Sequence, residues 1–224
     1  MAAKIGSFRT EVQRDFTFVR KLAISAAAGI RVRAGGRCGT NGPVAELSVP
    51  TVRVRQSFLA GMAEFQNEGR GGVADDTMIG SEIREFGQTW SVPDGFADYV
   101  RFLRDQALED SPRPEGYVPS TSLWWVDGEE YLGRIGIRHR LTERLLEVGG
   151  HIGYDVRPSA RRRGHATAML AAALPVARDL GIESALLTCD ADNVGSRKVI
   201  EHNGGVLEDV RDDKMRFWVP TSFP

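Results

Sequence analysis

Arg161, Arg162 and Arg163 stand side by side in the run Gly150–Thr167, GHIGYDVRPSARRRGHAT, followed at once by Gly164 and, two residues on, Ala166. Guanidinium groups form strong charge-assisted hydrogen bonds with phosphate oxygens. Residues with little or no side chain let a ligand come close to the backbone. The first half of the run, His151–Val156, reads as a strand, and Pro158 ends it because proline cannot donate to a ladder. A basic turn, Ser159–Gly164, leads into an apolar helix. A helix N-terminus leaves backbone N–H groups unpaired and favours negative charge. The expected chemistry is therefore pyrophosphate binding on the amides from Arg162 to Thr167, with a solvated basic turn as the bland alternative. No G-x-x-x-x-G-K-[ST] run is present, and no G-x-G-x-x-G follows a strand-like segment, so two other phosphate cradles are excluded.

The remaining reactive residues are few. Asn193 and Ser196 open a second short helix, where Asp192 or Asn193 suits an N-cap. Four histidines are spread along the chain: His139, His151, His165 and His202. His165 falls inside the basic turn and reads as a spectator there, and His202 suits the C-terminal end of its helix. Cys38 and Cys189 are the only cysteines, which supports neither a disulfide framework nor a cysteine-based zinc site, and no metal is expected.

The elements that must hold these residues follow from periodicity. Glu46–Val54 reads as a strand, with Pro50 forcing a kink or a sheet edge. Val54, Phe58, Leu59, Met62 and Phe65 recur at helical spacing over Arg53–Glu68. The stretch 73–92 is a short helix or a covering loop. Pro93 can start a helix whose apolar face is Phe96, Tyr99, Val100, Leu103 and Ala107. The proline-rich linker Ser111–Pro119 precedes a hairpin, Ser122–Val126 and Tyr131–Ile137, turning at Asp127-Gly128. One of Trp124 and Trp125 should be core while the other faces helices or solvent, since neighbours in a strand face opposite ways. After His151–Val156 comes a helix from Arg163 to about Leu180, burying Ala166, Met169, Leu170, Ala173, Leu174 and Ala177, with Pro175 inside it. The buried strand Ser184–Thr188, the helix Asn193–His202 and strands Val206–Val210 and Met215–Val219 complete an α/β chain with a mixed sheet.

Composition adds limits. The 224 residues suit one domain with an appendage, and 42% hydrophobic with 26% charged residues is ordinary for a globular protein. A net charge of −1 gives no overall reason to expect nucleic-acid or membrane partners. Residues 1–45 are different, with eight basic residues against Glu11 and Asp15. The Gly-rich stretch Ala34–Gly42 then reads as a break, so 1–45 is expected to be a basic, poorly ordered extension and 46–224 the domain. A cytoplasmic setting fits the cysteine usage best.

Arg161-x-x-Gly164-x-Ala166, together with Val118–Gly128, Ile135–Leu141, Gly149–Ala166 and Leu186–Gly205, resembles the GNAT superfamily of acyl-CoA-dependent N-acyltransferases, within it a subgroup described as predicted acetyltransferases. The resemblance implies the GNAT fold, a mixed, mostly antiparallel sheet with a splayed central strand and flanking helices. It implies acetyl-CoA as cosubstrate. Its pyrophosphate would lie on Arg161, Arg162, Arg163, Gly164, His165, Ala166 and Thr167, its pantetheine arm along Tyr154, Asp155 and Val156, with Asn193 and Ser196 beside it. The implied reaction is direct attack of a primary amine, on a small molecule or peptide, upon the thioester. An amine must lose a proton to attack. The family's positions for a glutamate base and a tyrosine acid fall at Gly150 and Ile200, which cannot serve. His151 leads the candidates for base, then His139, with Tyr154 and Asp155 nearby. A non-catalytic acyl-CoA-binding regulatory module is the rival reading. A homodimer is an open option; nucleic acid and membrane are not expected partners.

Overall fold

The computed structural model describes residues 32–33, 45–75 and 77–222. Its strands are β1 (Val32–Arg33), β2 (Glu46–Ser48), β3 (Ser120–Asp127), β4 (Glu130–Arg138), β5 (Ile152–Val156), β6 (Ser184–Asp190), β7 (Val206–Arg211) and β8 (Lys214–Pro220). The helices are α1 (Arg55–Asn67), α2 (Met78–Phe86), α3 (Pro93–Asp105), α4 (Glu143–Glu147), α5 (His165–Asp179) and α6 (Val194–His202). β1 to β5 form one antiparallel sheet in sequence order, and β6-β8-β7 form a second. The expected mixed sheet is thus two antiparallel sheets, and the strand expected to splay, β5, lies at the break between them.

Two cores form on the two faces of the larger sheet. Across β3, β4 and β5, Trp124, Arg134 and Asp155 stand directly opposite one another and so share a face. Trp124 packs there with α1, α2 and α3 around Phe58, whose ring centroid is 5.1–5.7 Å from those of Trp90, Phe96, Tyr99, Trp124 and Tyr131. On the other face Trp125, Ile135, Ile137, Ile152 and Val156 meet α5, β6 and β8. Both tryptophans are therefore core, one on each side.

Several expected boundaries move. β2 stops at Ser48, and the chain from Pro50 runs into a 3-10 turn, Val52–Val54, capped by Thr51. Val32 and Arg33 pair with Leu47 and Glu46, so part of the stretch expected as an extension joins the sheet; the rest of residues 1–44 lies outside the described residues. The hairpin turns at Gly128-Glu129, not Asp127-Gly128, because Asp127 pairs with Glu130. Gly128 takes φ +60°, the first central position of a two-residue turn that demands glycine. The undecided stretch 73–92 contains α2, started by the Thr77 cap. α5 continues through Pro175, whose ring lies on the solvent side, and Ala166 is half-buried where full burial was expected.

Candidate active site

β5 and β6 form no ladder, yet they are joined at the foot of β5. The His151 N–H donates to the Leu186 carbonyl at 2.7 Å, and the Leu186 N–H donates to His151 Nδ1 at 3.0 Å. Beyond this clamp no backbone hydrogen bond joins β5 to β6. Gly150 enters the clamp with φ +59°, and a Cβ there would stand 2.2 Å from the Leu186 oxygen. No side chain fits at position 150.

At the head of β5 the basic turn opens onto α5. Arg162 and Gly164 both have positive φ, +60° and +82°, which turns successive amides towards one side. Gly164 precedes α5 and no side chain caps it, so the leading amides of α5 keep their N–H groups unpaired. A Cβ on Gly164 would touch nothing within 4 Å, so the space over the turn is open. These residues fit a pyrophosphate.

The three arginines differ in their contacts. Arg161 donates from Nη1 and Nη2 to the Glu68 carboxylate, both at 2.8 Å, and from Nε to the Val156 carbonyl at 3.0 Å. Its guanidinium also lies over the Phe65 ring. One turn earlier on α1, Glu64 receives Arg157 Nε at 3.0 Å and the Ser159 N–H at 2.9 Å. Glu64 and Glu68 thus fasten α1 to both shoulders of the turn. Arg162 and Arg163 are exposed and hold no ion pair among the described residues.

His165 is the first residue of α5, but its ring turns inward. Its Nδ1 accepts the Trp125 indole N–H at 3.2 Å, and burial, then Arg163, holds its pKa below the ordinary value. Only its backbone faces the turn's chemistry. Ala166 and Thr167 are half-buried behind it. Tyr154 projects to the α5 face, and its hydroxyl donates to the Ser196 carbonyl at 3.3 Å, bridging β5 to α6. Burial pushes that phenol up to about 12. Asn193 caps α6 by accepting the Ser196 N–H at 3.0 Å. Asp155 projects the opposite way, towards α1 and α2.

His151 and His139 are both neutral near neutral pH. Burial, then Arg138, holds His151 down at about 4; burial alone dominates for His139, also about 4. His139 Nε2 lies 2.9 Å from the Thr121 hydroxyl. Several helical acids are already engaged. Glu82 holds Arg134 and receives the Tyr99 hydroxyl, Asp98 pairs with Arg101, and Glu147 pairs with Arg211. Cys189 is buried and its thiol is pushed up by that burial, which makes it inert. Among the described residues no group of three or more His, Cys, Asp or Glu is placed to hold a metal, and no helix is long and apolar enough to cross a membrane.

The model of the family described as "Acetyltransferase (GNAT) domain" matches residues 76–206, from just before α2 to the start of β7. The chain belongs to the GNAT acetyltransferases. It is an N-acetyltransferase that uses acetyl-CoA. Solved structures share the GNAT fold at low identity. Mycobacterium smegmatis RimJ in complex with CoA-disulfide is 17% identical, with 85% of each chain covered and a TM-score of 0.57. RimL, a ribosomal L7/L12 alpha-N-protein acetyltransferase, is 14% identical, covering 86% of this chain and 94% of its own, at 0.53. The GNAT domain of S. lividans PAT is 17% identical, covering 87% and 98%, at 0.52. No curated protein matches the sequence. In this GNAT chain the signature turn was legible from sequence. The partners that hold it, Glu64 and Glu68, were not, because nothing local links residues 93 positions apart.

Proposed function

We propose that this acetyltransferase moves acetyl to a primary amine by direct attack, with the pyrophosphate of acetyl-CoA held on the amides from Arg162 to Thr167. The observation that carries this reading is the uncapped N-terminus of α5 beneath a glycine in left-handed conformation, at the mouth of the split between β5 and β6. Arg162 and Arg163 supply free guanidinium groups to the phosphates, and Arg161 holds the turn in shape through Glu68. The backbone of Tyr154, Asp155 and Val156 faces the split and suits the amide groups of the pantetheine arm. Asn193 and Ser196 form the opposite wall. Bound acetyl-CoA supplies the activated acyl carbon; the chain orients it and accepts the amine's proton.

Residues 46–224 form the catalytic domain in this reading, with most of 1–45 as a basic extension, and the setting is cytoplasmic. The acceptor is a small-molecule or peptide amine. Thiol release from acetyl-CoA, measured against a panel of amines, aminoglycosides and peptides with free N-termini, tests it. Amine-dependent turnover is the expected result.

One observation favours the rival, a non-catalytic acyl-CoA-binding module. Ile200, at the family's acid position, is 1% exposed within the core, and Gly150 has no room for a side chain. Acetyl-CoA binding without thiol release across the whole panel would establish that rival.

A further inference from the structure

We propose that Asp155 is the catalytic residue that receives the acceptor's ammonium group and removes its proton, in a slot floored by Gly153 and walled by Met78 of α2. The proposal deepens the reading above and rests on its placement of acetyl-CoA along β5.

Asp155 and Arg134 are direct cross-strand partners on the face turned to α1–α3. Such a pair should form an ion pair, yet Arg134 gives both terminal nitrogens to Glu82 of α2, with Nη2 to Oε1 at 3.0 Å. Asp155 is left half-buried, with no hydrogen bond or ion pair among the described residues. A carboxyl group drawn from water without a partner costs stability. Burial accordingly raises its pKa, against the opposing charges of Arg134, Arg70 and Arg161, while Glu82 adds to the rise. The other carboxylates close to the signature turn, Glu64 and Glu68, are each occupied by an arginine.

The slot beside Asp155 has a simple origin. Gly136 and Gly153 are cross-strand partners on the same face, two residues along from Arg134 and Asp155. Neither carries a side chain, so what lies over the sheet there comes from α2 alone. Met78 of α2 reaches over Gly136, but a Cβ on Gly153 would meet nothing within 4 Å. A second unsatisfied group lies in the field of Asp155. Tyr131 is fully buried, its hydroxyl has no partner among the described residues, and the Asp155 charge contributes to raising its pKa. A primary ammonium brings three N–H donors. The Asp155 carboxylate is an acceptor that lacks a donor among the described residues.

The strand separates the two halves of the reaction. Asp155 faces the helical layer, while its neighbour Tyr154 faces α5 and α6. An amine held by Asp155 approaches from one face of β5, and acetyl-CoA lies in the split at the edge of β5. One proton passes from the ammonium to Asp155. The nitrogen lone pair then forms the N–C bond to the thioester carbon, the C–S bond breaks, and the leaving thiolate takes the nitrogen's second proton. Asp155 returns its proton to solvent. The histidines are less suited: Leu186 already donates to His151 Nδ1, and His139 is bonded to Thr121.

The test uses n-butylamine as the amine probe with acetyl-CoA, on the full chain and on Asp155→Asn, with Asp155→Ser as a second variant. Thiol release, acetyl-CoA affinity by calorimetry and melting temperature are read on the same preparations. Removing a general base lowers rate by about 10²–10⁴-fold, so kcat/KM for butylamine should fall by that range in both variants. Acetyl-CoA affinity should stay within about threefold, well under one tenfold step of 1.4 kcal/mol. The full chain's rate should rise with pH as Asp155 ionises, and that limb should vanish in Asp155→Asn. Variant turnover within about threefold of the full chain overturns the proposal. So does a full chain that binds acetyl-CoA but shows no butylamine dependence at tens of millimolar. A full chain that does not bind acetyl-CoA overturns the reading of the cofactor cleft and the proposal with it.

Discussion

Asp155 and Arg134 face each other across the β4–β5 ladder and do not pair, because Glu82 reaches down from α2 and takes the arginine. An acid whose pKa is raised by folding binds its proton more tightly in the folded state than in the unfolded chain. Its contribution therefore lowers stability as pH rises from the ordinary carboxyl value through the raised folded one. Asp155→Asn should raise Tm at neutral pH, and the gain should shrink on acidification towards the carboxyl range. Thermal melts of both proteins across that range check it; a lowered Tm at neutral pH would show that the carboxylate has a structural partner.

Glu82 has the opposite role. It neutralises a buried arginine and accepts the Tyr99 hydroxyl. Glu82→Ala leaves Arg134 buried without a counter-charge, and breaking such a pair costs about 3–5 kcal/mol. Tyr99→Phe removes one hydrogen bond to a charged group and should cost roughly 1.5–3 kcal/mol. Denaturant melts at neutral pH give both values. Equal costs would mean that the ion pair adds nothing beyond the hydroxyl's bond.

His151 is predicted to be structural. Its Nδ1 accepts a buried amide that would otherwise be unpaired, so His151→Gln should lower stability by about 1–3 kcal/mol with kcat nearly unchanged. Its folded pKa, about 4, lies below the ordinary 6.5. The neutral ring's contribution is thus fully present above about pH 6.5 and is lost as pH falls towards 4, on the order of 3 kcal/mol in all. A stability profile of His151→Gln that keeps this acid limb intact would assign the limb to other groups, and a large fall in kcat would restore the residue as a candidate base.

Much of this fold was legible in the sequence for local reasons. The helices around Phe58 and Phe96 announce themselves by 3.6-residue spacing, and the strand–turn–helix around Gly164 by proline, glycine and the apolar run behind it. The hairpin turn slipped by one residue because both Asp127-Gly128 and Gly128-Glu129 contain the needed glycine, and only the ladder, with its irregularity between Trp125 and Val126, decides between them. The candidate site was legible only in the backbone geometry of its turn. That Arg161 is occupied, that Arg162 and Arg163 are free, and that Asp155 lost its cross-strand partner all depend on carboxylates of α1 and α2, tens of residues away in sequence.

The arginines should therefore contribute unequally to affinity. Arg162→Ala with Arg163→Ala removes two free guanidinium groups and should weaken acetyl-CoA binding by about tenfold or more, the size of one hydrogen bond to a charged group. Arg161→Ala releases the turn from Glu68 and should act more weakly, an effect that Glu68→Ala should reproduce. Calorimetry over a range of salt concentrations separates them. A larger loss for Arg161→Ala alone than for the double variant would place its guanidinium on the phosphates.

Calorimetric titration of acetyl-CoA into the full chain and into Gly164→Glu tests the cradle most directly. The glutamate would set a negative charge over the uncapped amides of α5, on a residue whose φ is +82° and whose Cβ has open space around it. Saturable binding by the full chain and its loss in the variant, with the melting temperature lowered only slightly, is the predicted result. Equal binding by the two proteins would contradict it, as would a full chain that does not bind acetyl-CoA at all.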